Sequence, residues 1–261
     1  MHYSNNLVEK YFKLDRQFVN YPKFLDRKKY DQFLKTFIEL YSKEDYVKSI
    51  LQFGSINNPG ISDLDLAVVC SDSSGTQIRN PIKLIHDSEE FDKNLKTYFA
   101  PFQNPGGLFD LYFFNESFNH DNSLHNLSNL TIHFSRSDYI DNFNAKVAPS
   151  SHALVRLIRV FYTFYFDAYI SILTSPVVNV HGALYSSLAI KHPINLIKEI
   201  GGEISDKQEN LVEDLKNLRE GWFDRDNEDN KKRLVPLLFD CLFCSSELMI
   251  EIERLVNVQY C

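Results

Sequence analysis

Apolar positions recur along this chain at two different periods, and the change from one to the other divides it. Residues 5 to about 19 set Leu7, Tyr11, Phe12 and Phe18 on an irregular stripe. That stripe predicts a helix ended by Tyr21-Pro22, because a residue before proline is steered away from helical angles. From Lys23 to about Ser42, the residues Phe24, Tyr30, Phe33, Leu34, Phe37, Ile38 and Tyr41 recur mostly at three- and four-residue steps, which predicts a longer helix. Val47 to Phe53 and Leu64 to Cys70 are short apolar runs of strand length. Gly107 to Phe114 is a third, with Asp110, Tyr112 and Phe114 on one face and Phe109, Leu111 and Phe113 on the other. Leu130 to Phe134 is a fourth. Between the runs, Ser71 to Pro81 reads as a polar loop without the glycine spacing or lysine of a P-loop. Ile82 to Tyr98 reads as mostly helical, Pro101 to Gly107 as a turn and Asn115 to Ser128 as a polar excursion.

After Pro149 the strand signals thin out and helical periodicity takes over. The expected boundary falls near 148–150, giving a domain over 1–148 and a helical domain over 149–261. Ser151 to about Thr174 is an apolar helix, too interrupted by Arg156, Arg159 and Asp167 to span a membrane. Those residues join Thr163 and Ser171 at steps of three, four, four and four, one narrow polar stripe. The stripe is either the solvated face of a surface helix or the lining of a cleft. Val177 to Ile200 holds another helix and a turn, broken at Gly201-Gly202. Ser205 with Gln208 three residues on makes a capping box for a helix reaching about Arg219. Asp224 to Lys232 reads as a charged linker. A final helix is expected from about Val235 to Val256, with Pro236 in its first turn. The fold class is α+β: a small mixed sheet with flanking helices, then an all-helical bundle closing over one face of the sheet.

Composition narrows the partners. The 261 residues carry a formal net charge of −7, which disfavours a broad nucleic-acid footprint, since Lys and Arg drive binding to phosphate backbones. Cys70, Cys241, Cys244 and Cys261 make no disulfide framework in a chain of this length. Cys241 and Cys244 have CxxC spacing but no second ligand pair, and read as buried helical thiols. His120, His125 and His133 fall close together at spacings that fit no zinc pattern. The N-terminal residues show no cationic-then-apolar signal, so a cytoplasmic location is expected.

The chemistry concentrates between Ile50 and Val69. There an apolar strand ends in Gly54-Ser55, a short polar loop follows, and a second strand opens with Asp63 and Asp65. Two residues apart on a strand, both acids point to one face, where like charges disfavour joint ionisation. A divalent cation removes that penalty. Mg²⁺ prefers one or two carboxylates, waters and substrate phosphates. The unhindered backbone and hydroxyl of Gly54-Ser55 suit a phosphate chain.

This arrangement of strand, Gly-Ser, short connection and Asp-x-Asp on the next strand resembles the DNA polymerase beta-like nucleotidyltransferase superfamily. The likeness covers roughly residues 45 to 115 and is nearest to the antibiotic-type members that modify small hydroxyl compounds. It implies a third metal-binding carboxylate on a neighbouring strand, for which Asp110 is the match. It further implies that Asp63, Asp65 and Asp110 hold Mg²⁺ and carry catalysis, and that Gly54, Ser55 and Ser62 bind an NTP donor. Transfer of NMP would then go to a hydroxyl or phosphate of a small-molecule acceptor. A toxin-type member acting on tRNA or a protein side chain, and a decayed nucleotide-binding module, are the alternatives. One departure stands out: only seven residues separate Ser55 from Asp63, with Pro59-Gly60 among them and no Lys or Arg. A tight turn must replace the family's small helix, and the charge facing the phosphates must come from elsewhere. Arg156 and Arg159 on the polar stripe are the candidates.

Overall fold

The computed structural model describes residues 14–71, 108–115, 130–136, 167–199 and 201–260. The chain divides into two compact units, Lys23–Ala153 and the combination of Met1–Pro22 with Leu154–Cys261.

In the chain order of the described residues, the elements are β1 (Gln17–Val19), α1 (Arg27–Tyr41), β2 (Val47–Phe53), β3 (Leu64–Cys70), β4 (Phe109–Asn115) and β5 (Leu130–Ser135). They continue with α2 (Asp167–Thr174), β6 (Val177–Asn179), α3 (Val180–Ser187), a 3₁₀ turn (Leu188–Ile190), α4 (Lys191–Glu199), α5 (Asp206–Glu220) and α6 (Asn227–Tyr260). Both helices and small sheets are present and the C-terminal half is dominated by helix, as an α+β chain requires.

The first unit is built on a four-stranded sheet in the order β4-β3-β2-β5. β2 runs antiparallel to both β3 and β5, whereas β3 and β4 are parallel. A parallel neighbour needs a long crossover, and the chain between Cys70 and Phe109 supplies the length. Alternation sorts the side chains onto two faces. On one, Ile50, Leu64, Leu66, Val68 and Phe109 pack under Tyr30, Phe33, Phe37 and Tyr41 of α1. Phe109 meets Phe33 and Phe37 edge-on at ring-centroid distances of 4.7 and 5.7 Å. On the other, Leu51, Phe53, Ala67 and Val69 cluster with Tyr112, Phe114, Leu130 and Ile132. α1 begins at Arg27 rather than Lys23, because the Asp26 side chain caps it by accepting the Lys28 N–H at 2.9 Å.

The second unit corrects four expectations. Gln17–Val19 is a strand, not the end of a helix, and pairs in parallel with Val177–Asn179. Phe18 and Val19 are strand formers, and the turn that follows places Asn20 at a φ of +53°, which breaks a helix. The C-terminal domain, expected to be all-helical, thus carries the short strand β6 among its described residues. Nor is the stretch around Asp224 to Lys232 a linker throughout, since α6 starts at Asn227. Asp226 accepts the Asp229 N–H at 2.8 Å, and Lys231–Glu228 and Lys232–Asp229 pair along the first turns. Pro236 thus lies inside α6 rather than in its first turn, where its ring removes one backbone N–H from the ladder.

Other expectations hold. Of the helix expected over Ser151 to about Thr174, the described end Asp167–Thr174 is helical and 151–166 lie outside the described residues; Asp206–Glu220 is helical behind the Ser205–Gln208 capping box. Asn179 caps α3 by accepting the Gly182 N–H at 3.1 Å. Among the described residues no helix is long and apolar enough to cross a membrane. Residues 5–13, the segments read over 72–107 and 116–129, and the boundary at 148–150 lie outside the described residues.

Candidate metal centre

Strand register brings the acids together. Asp65 is the in-register partner of Asp110 across the parallel β3–β4 pair, and of Phe53 across the antiparallel β2–β3 pair. Asp63 lies one residue ahead of β3, whose first rung is held by the Leu64 N–H donating to the Leu108 carbonyl at 2.8 Å. One carboxylate oxygen from each of Asp63, Asp65 and Asp110 lies within 4.8 Å of the other two. Alternation puts Asp65 and Asp110 on the sheet face away from α1, the face that carries Phe53, Tyr112 and Phe114. Among the described residues this is the one group of three or more His, Cys, Asp or Glu side chains close enough to share an ion.

The electrostatics are unfavourable as they stand. Burial pushes the Asp65 carboxyl up to about 8, and the charges of Asp63 and Asp110 push it the same way. Burial also raises Asp110. Asp65 Oδ1 is buried with no hydrogen-bond partner. A partly buried acid beside two others, with one oxygen buried and orphaned, is costly unless something positive completes it. An all-carboxylate set of hard oxygens fits Mg²⁺ and does not suit a soft metal.

The loop from Gly54 to Asp63 is a tight turn, as its length and Pro59-Gly60 imply. Gly54 and Gly60 have φ of +68° and +90°, a region open to glycine without strain. The Ser62 N–H donates to the Asn58 carbonyl at 2.8 Å, and the Asn58 N–H donates to Ser62 Oγ at 3.1 Å. Ser62 is accordingly buried within the turn, while Ser55 is exposed and donates to Asn57 Oδ1 at 3.1 Å.

Two residues of α1 fasten this loop, and the sequence reading passed over both. The Tyr30 hydroxyl accepts the Gly60 N–H at 2.9 Å and donates to the Ser62 carbonyl at 2.8 Å, directly ahead of Asp63. Burial holds that hydroxyl up at about 12, with the Asp63 charge adding, so it stays protonated and able to donate. Arg27 Nη1 donates to the Ile56 carbonyl at 2.6 Å. In the sequence Tyr30 was one more member of an apolar stripe. Arg27, at a position off that stripe, carried no signal tying it to a loop 29 residues away.

Elsewhere, His133 shares a 2.9 Å hydrogen bond with Gln52 Oε1 and belongs to a strand-to-strand pair. Cys241 and Cys244 are free thiols buried on α6. Arg156, Arg159, His120 and His125 lie outside the described residues. Comparison with known proteins brings no relative to the site: no family model, curated protein or solved structure matches the chain.

Proposed function

We propose that the chain is a Mg²⁺-dependent nucleotidyltransferase, moving an NMP from an NTP donor to a hydroxyl or phosphate of a small-molecule acceptor. The observation that carries this reading is the triad of carboxylate oxygens within 4.8 Å, next to an exposed Gly54-Ser55 turn. Asp63, Asp65 and Asp110 would hold the metal; when bound, it would draw charge from the phosphoryl group and lower the pKa of the acceptor oxygen. The open backbone at Gly54 and the Ser55 hydroxyl would receive the phosphate chain. Asp110 is the most exposed of the three acids. Burial raises its carboxyl, which favours its taking the acceptor's proton as the acceptor oxygen bonds to the α-phosphorus and pyrophosphate leaves with the broken bond. The acidic net charge favours a small acceptor over a long polynucleotide.

The test is pyrophosphate release from each NTP with Mg²⁺, over a panel of small hydroxyl compounds. Release that disappears in Asp63→Asn and in Asp65→Asn is the expected result. NTP binding without release from any acceptor would point instead to a nucleotide sensor. Unchanged turnover in both variants would remove the triad from the mechanism.

A further inference from the structure

The Gly-Ser turn has no cation of its own. Between Ser55 and Asp63 the chain holds neither Lys nor Arg, yet a polyphosphate needs positive charge to offset its own. α1 brings one to the turn. Arg27 Nη1 bonds the carbonyl of Ile56, the residue after Ser55. The Tyr30 hydroxyl, fixed between Gly60 and Ser62, feels both Arg27 and Asp63, so the cation and the first acid flank the same loop. The guanidinium is not consumed by these contacts. Its other interaction is a 3.6 Å approach of Nε to Asp31, with both side chains more than half exposed. Nη2 has no partner among the described residues. The first turn of α1 is Arg27-Lys28-Lys29 with no acid, set against the positive end of the helix dipole.

We propose that Arg27 binds the phosphate chain of the donor, supplying from α1 the charge that the short loop lacks. This rests on the nucleotidyltransferase reading and deepens it, because a cation bonded to the residue after Ser55 selects a donor with a polyphosphate tail. Nη1 stays on Ile56, which holds the fork in place, while Nη2 and the charge meet the phosphates. Tyr30 is a positioning residue for the same loop.

Isothermal titration of the purified full chain with the four Mg²⁺–NTPs separates the possibilities. The tightest binder is then compared with its di- and monophosphate and with Mg²⁺–tripolyphosphate. In the wild type, affinity should rise with phosphate number. Arg27→Gln keeps a polar amide but carries no charge, and is too short to reach the Ile56 carbonyl as Nη1 does. It should weaken the triphosphate and tripolyphosphate by roughly tenfold or more and leave the monophosphate unchanged. Arg27→Lys should restore part of the loss. Asp31→Asn, which frees the guanidinium from a competing carboxylate without touching the loop, should tighten triphosphate binding. Equal triphosphate binding by wild type and Arg27→Gln, or an equal loss for mono- and triphosphate, would reduce Arg27 to a loop staple and overturn the proposal. An Asp31→Asn variant that binds as the wild type does would overturn it as well. If the wild type binds no NTP with Mg²⁺, the nucleotidyltransferase reading itself fails and this proposal falls with it.

Discussion

Asp65 and Asp110 stand opposite each other in register on two parallel strands, one acid directly beside the other on the same sheet face. With Asp63 at the strand entrance they make a site that is unfavourable without a cation. The Asp65 carboxyl, pushed up to about 8 from an ordinary 3.8, keeps a proton in the folded state that the unfolded chain releases. Metal-free stability is therefore greatest below about pH 4 as far as this group goes, and falls as the pH rises toward 8. Asp65→Asn should flatten that decline. At pH 8 with a chelator the variant should be more stable by about 1–3 kcal/mol, a range kept low because Asp65 is only partly buried. Adding Mg²⁺ should raise the wild-type melting temperature and leave the variant's where it was. Melting curves at pH 5 and pH 8 check both statements; an Asp65→Asn protein that is less stable at pH 8 would refute them.

Tyr30 joins the core of the first unit to the loop that delivers Asp63. Tyr30→Phe keeps the ring packing and removes only the hydroxyl, leaving the Gly60 N–H and the Ser62 carbonyl without their partner. The expected loss is about 1–3 kcal/mol in urea unfolding, the usual cost of stranding a buried polar group. Mg²⁺ affinity should fall too, since Ser62 directly precedes Asp63. A stability loss with unchanged Mg²⁺ affinity would show that the loop holds the acid without help from α1.

The sequence made the four strands of the first unit legible because each is a short apolar run bounded by polar residues, and the observed spans match those runs closely. Asp63 and Asp65 were visible through their spacing, and Asp110 through the oddity of an acid in an apolar strand. What stayed hidden depended on partners far along the chain. β1 has three residues, and only pairing with Val177–Asn179 makes it a strand. The roles of Tyr30 and Arg27 reside in single polar atoms reaching a distant loop, which periodicity does not register. Pro236 looked like a helix start because proline favours the first turn, but the Asp226 cap and the charged pairs after it begin α6 earlier.

Gly54 and Gly202 separate conformational need from space. At Gly54 an added Cβ would meet no atom within 4 Å, yet φ is +68°. Gly54→Ala should thus cost only backbone strain, about 1–2 kcal/mol, and should weaken nucleotide binding by tilting the turn. At Gly202 the Cβ would come within 2.6 Å of Ile197 Cγ2 and Leu255 Cδ1. Gly202→Ala should lower stability by about 1–3 kcal/mol through overpacking and leave Mg²⁺–nucleotide affinity as it was. Titration and melting of both variants, run side by side, would expose the reverse pattern if the turn were only structural.

The CxxC pair on α6 should behave as core and not as chemistry. Cys241 and Cys244 are buried; the Cys241 thiol faces the Ser187 carbonyl at 3.7 Å, and burial pushes Cys244 up to about 12. Burial raises Cys241 as well, with the Cys244, Asp240 and Tyr169 side chains acting on it. Neither is a thiolate at neutral pH, and the thiolate is the form that attacks disulfides or binds zinc. Cys70 is buried in β3 and equally shielded. An aromatic disulfide reagent should therefore modify Cys70, Cys241 and Cys244 in the native protein no faster than the fold opens, and a zinc chelator should leave the melting temperature unchanged. Mutating Cys244 to Ala should cost stability through the lost contacts and leave pyrophosphate release intact. Rapid labelling of Cys241 or Cys244 under native conditions would instead mean that α6 opens locally, and would make its thiols available for redox exchange.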